Sequence, residues 1–174
     1  MKIRILFFLL IFGTLFGTAS AQRRDYMTEA EVEIVRNNQD VDLRIAVLTH
    51  MIDRRFTALG IASGGSKPKK SEDDWGEEPK GTRLELLGDI KNLLEKAIDD
   101  IDNVAARMPE KTKEEKKGEN VFNKAVRSLA ASSNRWIPLL KKEHDATQDE
   151  KILGVTAASI EFCEQVIEAT SKLK

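Results

Sequence analysis

A chain of 174 residues with 28 basic and 29 acidic side chains is nearly neutral, and so offers no basic footprint for nucleic acid or for an anionic membrane surface. One third of its residues are charged, 6% are aromatic and no long β-branched alternation occurs, which favours solvated helices over sheets. The single cysteine, Cys163, excludes an internal disulfide, so the fold is expected to hold by packing.

The chain opens MKIRILFFLLIFGTLFGTASAQ, in which Lys2 and Arg4 form a basic n-region, Ile5 to Gly17 an apolar h-region and Ala19-Ser20-Ala21 an A-x-A site. About 13 apolar residues fall short of the ~20 that span hydrocarbon. The segment therefore reads as a signal peptide, residues 1–21, cleaved after Ala21. No cysteine stands at the cleavage region to carry a lipid. The expected product is residues 22–174, one domain exported to the periplasm or to the extracellular space, with no stable membrane insertion. Loss of Lys2 and Arg4 leaves it a net charge of about −3.

Thr-x-x-Glu occurs four times near the start of an apolar-periodic run, at Thr28/Glu31, Thr82/Glu85, Thr112/Glu115 and Thr147/Glu150. Each can form a capping box, which predicts where helices begin. The first helix is short, from Thr28 to about Asn37, with Met27 and Val32 placed for a hydrophobic staple. The second runs from about Asp40 to Leu59. It carries one stripe of Val41, Ile45, Leu48, Ile52, Phe56 and Leu59 and another of Leu43, Val47, Met51 and Ala58.

Within it the stretch HMIDRRF, residues 50–56, gathers a histidine, an aspartate and two arginines. At ~100° per residue His50 points away from the Ile45–Ile52 stripe, with Asp53 on the same wedge and Arg54 a turn beyond. The reading is a solvated polar face, with Arg55 laying its methylenes along the core edge.

Next, GIASGGSKPKKSEDDWGEEPKG (60–81) is rich in glycine, serine, proline and charge, and reads as a long mobile loop. GIASGGSK imitates a phosphate loop but has Gly-Ser-Lys after a helix, where G-x-x-x-x-G-K-[ST] after a strand is required. Trp75 has nothing local to pack on. Either it folds back over a groove of the bundle or it is an exposed handle for a partner, and it is the one candidate partner contact in the chain.

The third helix repeats Leu87, Ile90, Leu94, Ala97, Ile101, Val104 and Met108 at alternating spacings of three and four, a 3.5-residue seam that Pro109 closes. Leu86, Leu93, Ile98 and Ala105 widen it, so more than one neighbour is expected. Its DDID (99–102) reads as a solvated face, lacking a calcium loop's sixth-position glycine. The fourth helix carries Phe122, Val126, Leu129, Ser133, Trp136 and Leu140. Gly118 is expected to delay its start towards Asn120, and Pro138 to kink it. The fifth runs from about Gln148 with Leu153, Ile160, Cys163 and Ile167 inward, Cys163 as a buried free thiol.

The predicted architecture is all-α, an antiparallel helical bundle of about four long helices plus one short N-terminal helix. No catalytic, cofactor-binding or metal-binding set assembles from the residues. The residues three before His50 and His144 are Val47 and Lys141, so no Glu-x-x-His exists, nor any H-E-x-x-H or C-x-x-C-H.

Residues 25–56, through Tyr26, Met27, Thr28, Glu29, Arg36, Gln39, Asp40, Arg44, Asp53 and Arg54, resemble the opening of uncharacterised secreted bacterial helical proteins. That family is of unknown function, and the resemblance implies export and helices but no ligand or activity. Two functional expectations stand. One is a non-enzymatic binding or accessory module for an envelope or extracellular protein. The other is a small-molecule or haem carrier with a cavity lined by Met51, Met108 or Phe122.

Overall fold

The computed structural model describes residues 24–65, 75–107 and 113–173, with side chains of 113–119 left aside. Among these residues the chain forms five helices and no strand: α1 (Glu29–Asn37), α2 (Val41–Ala58), α3 (Arg83–Ala105), α4 (Lys113–Asp145) and α5 (Glu150–Ser171). The predicted signal peptide, the middle of the 60–81 loop, Met108, Pro109 and Thr112 lie outside the described residues.

The four long helices make the bundle. α2 neighbours α3 and α4, α5 neighbours the same two, and α3 approaches α4 more loosely across the centre. Direction follows from the ion pairs that join them. Arg44 near the start of α2 meets Asp100 near the end of α3, and Arg83 at the start of α3 meets Glu143 at the end of α4. α3 thus runs antiparallel to both α2 and α4. α2 and α4 run parallel, since Asp42 pairs with Lys124 and Asp53 with Trp136.

The seams follow the periodicities. Leu87, Ile90, Leu94, Ala97 and Ile101 are buried with Leu86 and Leu93, and on α4 Val126, Leu129, Ser133, Trp136 and Leu140 are buried too. Burying each large apolar side chain contributes about 1.5–3 kcal/mol. Two capping boxes form as expected: Thr28 and Thr82 each accept from the N–H three residues on, while Glu31 and Glu85 return the bond.

Other expectations need correction. α4 begins at Lys113, so the ~1 kcal/mol that Gly118 costs a helix does not stop it. Pro138 stands inside this continuous helix, where the sequence placed it. At the start of α5 the cap is Asp149, whose carboxylate accepts from the Lys151 N–H, and Thr147 accepts from the Asp149 N–H instead of boxing with Glu150. The buried line of α5 is Thr156, Ser159, Cys163 and Val166, with Leu153, Ile160 and Ile167 only half-buried at its margin. Val32 is 40% exposed, and Leu43 is 48% exposed, so α2's second stripe starts at Val47. Cys163 is a buried free thiol, its pKa pushed up to about 12 by burial against the smaller opposing effect of Ser133.

Candidate functional site

α1 rests on α2 alone among the helices. Only two of its side chains are buried, Ile34 and Glu31. A carboxylate with no water access is tolerable only if paired and hydrogen-bonded. Glu31 is: Oε1 accepts from Arg54 Nη1 at 2.6 Å and from Arg55 Nη1, and Oε2 accepts from Arg55 Nη2 at 2.7 Å and from the Thr28 N–H at 3.0 Å. The capping glutamate of the first helix is therefore also the counter-ion of two arginines on the second.

Both arginines reach further. Arg55 Nη2 donates to Tyr26 O at 2.7 Å, and its Nε lies 3.7 Å from Asp89 Oδ2, beyond hydrogen-bond length. Arg54 Nη2 donates to Glu77 O at 2.6 Å and, more weakly, to Gly76 O at 3.4 Å. Arg24 completes the cluster with a two-pronged grip on Asp89, 2.9 Å to each oxygen, and a 2.8 Å bond to Lys80 O. Burial raises the Asp89 pKa above its ordinary value, with Arg24 and then Arg55 pulling the other way.

The strap from Trp75 to Gly81 lies over this cluster. Trp75 is 3% exposed, its ring 4.4 Å from that of His50 in an edge-on contact and capped by the Arg54 guanidinium at 5.8 Å. Gly76 holds φ +65°, and a Cβ there would come within 2.9 Å of the Ala30 Cβ, so the strap presses directly on α1. Of the two readings of Trp75 the structure takes the fold-back: it is a seat, with Gly76, Glu77, Glu78 and Lys80 exposed above it.

Beside the strap is a groove of about 400 Å³, bounded by His50, Asp53, Arg54 and Thr57 of α2, the backbone of Ser63 to Gly65, Trp75 and Glu78. Asp53 is buried at one edge. Its Oδ1 accepts from Trp136 Nε1 at 2.8 Å, and Arg135 approaches its Oδ2 at 3.5 Å while bonding Ser63 O at 2.7 Å. A Cβ on Gly65 would fall 1.8 Å from Asp53 Oδ2, so any larger residue there must displace the carboxylate or the loop.

The solvated-face reading of HMIDRRF is overturned. Asp53 and Arg55 are buried, Arg54 is nearly so, and His50 is half-buried under Trp75. The helical wheel located their direction correctly; α1 and the strap, arriving from elsewhere in the chain, cover what the wheel leaves bare. Arg55 does not skirt the core edge but enters it, carried by Glu31. Two signals are present in the sequence, a paired Arg-Arg and an unplaced tryptophan, but Glu31, the partner of both arginines, reads locally as a capping residue.

A second concavity, about 620 Å³, is lined by Arg24, Asp25, Tyr26, Asn92, Glu95, Lys96, Asp99, Asp100 and Asn103. Burial, then the charges of Asp100 and Asp25, raise the Tyr26 pKa. Of the residues proposed to line a carrier cavity, Met51 is fully buried in the core, Phe122 is half-buried against it and Met108 is outside the described residues. The apolar depression between α3, α4 and α5, about 180 Å³, is lined by Ile98, Ile101, Val126, Val166 and Ala169 among others, without Met51 or Phe122. Among the described residues no group of three or more His, Cys, Asp or Glu is arranged to hold a metal ion, and no helix is long and apolar enough to cross a membrane.

The residues that carry the resemblance to the secreted helical proteins make internal contacts here: Thr28 caps, Arg44 binds Asn38 O and Gln39 Oε1, Asp53 holds Trp136 and Arg54 holds Glu31. Comparison with family models, curated proteins and solved structures gives no match.

Proposed function

We propose that the mature chain is an exported, non-enzymatic binding or accessory module, and that its partner-facing region is the end of the bundle where α1 and the Trp75 strap cover α2. One observation carries the reading. A 3%-exposed tryptophan seats a strap whose upper surface, Gly76 to Glu78 with Lys80, is exposed beside a groove, while the cationic groups beneath it are committed to internal partners. Such a region presents shape and backbone rather than a reacting group, which suits recognition by another protein. Export rests on the n-region, h-region and A-x-A pattern of residues 1–21.

The test is capture from the host envelope on immobilised mature protein, using the native chain, Trp75→Phe and Trp75→Ala as parallel baits. A partner retained by the first two and lost with Trp75→Ala is the expected result. Identical recovery on all three baits would remove the strap from the binding role.

A further inference from the structure

We propose that α1 and the strap Trp75–Gly81 are one detachable cover, which lifts from α2 as a unit while α2 to α5 stay folded. The two segments are separated by the 37 residues between Asn37 and Trp75, yet they are held by the same groups. Arg54 grips Glu31 of α1 with one nitrogen and the carbonyls of Gly76 and Glu77 with the other. Arg24, just ahead of α1, grips Asp89 and the carbonyl of Lys80. Gly76 also lies against Ala30 directly.

Coupling follows from the cost of leaving those groups unpaired. If α1 lifts, Arg54 and Arg55 lose their carboxylate, and the strap loses the ion pair that fixes the guanidinium holding it. When the strap lifts, Arg54 loses its carbonyl acceptors, its ring contact with Trp75 and the packing that shields Glu31 from water. Opening both at once lets water solvate every member of the cluster, which neither partial opening does.

The cover is also the part of the molecule with the least apolar anchorage. Its buried apolar side chains are Ile34, Trp75 and Pro79, against seven on α3. Segments with few buried apolar contacts open at lower free energy than the global transition. Lifting would withdraw Ile34 and Trp75 and bare the α2 face around His50. Use of that face by a partner rests on the binding role proposed above; the coupling itself does not.

Two probes read the two segments separately: amide hydrogen exchange for α1, and the ¹⁹F signal of fluorotryptophan for Trp75, with Trp136 as the reference for the bundle. In the native chain, urea below the global midpoint should expose α1 amides and Trp75 along one curve, ahead of Trp136. Ile34→Ala, on α1, should increase exposure of Trp75 roughly tenfold, and Gly76→Ala, on the strap, should speed α1 exchange by a similar factor. Ile34→Val gives the same ordering at smaller size if the alanine variant does not fold. Separate curves, variants that loosen only their own segment, or exposure of all probes together with Trp136 would each overturn the proposal. A coupled opening with no loss of envelope capture in Trp75→Ala would leave the cover standing and defeat the binding role alone.

Discussion

The seam of α3 and α4 and the Glu31–Arg55 pair beneath the strap are both buried, yet they are built on opposite terms. Leu87, Ile90, Leu94, Val126, Leu129 and Leu140 need only to be apolar, of suitable size and on the right stripe. Glu31, Arg55 and Asp89 are buried as well, but each is tolerable only because named charged atoms face it, Arg54 and Arg55 for Glu31 and Arg24 for Asp89. Apolar burial is non-directional and degrades gradually; a buried charge without its partner fails outright.

The largest effect expected from this contrast is at Glu31. Glu31→Ala strands Arg55 and Arg54 and should cost about 3–5 kcal/mol in urea denaturation, whereas Leu94→Ala, a cavity in the seam, should cost about 2–5 kcal/mol. The two separate on rescue. The double change Glu31→Leu with Arg55→Met removes the carboxylate together with its fully buried guanidinium, leaving Arg54 its carbonyl acceptors and Asp89 its Arg24, and should recover part of the loss, while no single partner change should restore Leu94→Ala. Equal failure to rescue would show that the cluster acts through packing and not through charge pairing.

Trp136 joins the two regions, its ring in the seam and its Nε1 bonded to Asp53 under the groove. Trp136→Phe keeps most of the apolar burial and withdraws the donor from a buried carboxylate. A loss of about 1–3 kcal/mol is expected by the same measurement. A loss near zero would mean that Arg135 suffices for Asp53.

This division also explains what was legible in the sequence. Periodicity is a property of one helix, so the seams of α3 and α4, the fold class and the caps at Thr28 and Thr82 could be read residue by residue. Covering is a property of two distant segments. Nothing local in HMIDRRF says that Glu31 and Trp75 will come to lie on it, and a polar wedge on a helical wheel looks the same whether water or another segment faces it. α5 was harder for a different reason. Its apolar residues spread over half its circumference, and Thr156 and Ser159, which bond back to Ile152 O and Val155 O, occupy the buried line that a hydropathy pattern assigns to larger side chains.

A smaller effect tests the corrected start of α5. With the carboxylate of Asp149 accepting from the Lys151 N–H, Asp149→Ala should cost about 1 kcal/mol. Thr147→Ala removes only an acceptor outside the helix and should cost a few tenths at most. Reversed costs would restore Thr147 as the effective cap.

The least conspicuous test is a slope in pH, and it bears on the cluster from the other side. Asp89 has its pKa raised from 3.8 by burial, and the opposing pull of Arg24 and Arg55 cancels part of that rise, so the trend is shallow. A carboxyl whose folded pKa lies above its unfolded one binds its proton more tightly in the folded chain. Its contribution to stability is therefore full below pH 3.8 and is lost as pH rises through the folded value. Asp89→Asn has no proton to lose and matches the protonated form in shape. The stability of the native chain minus that of Asp89→Asn should thus fall as pH increases from acid towards neutral, followed by urea denaturation at successive pH values. If the difference rises instead, the ion pairs with Arg24 and Arg55 outweigh burial, and the cluster stabilises the fold by attraction rather than merely avoiding the cost of unpaired charge.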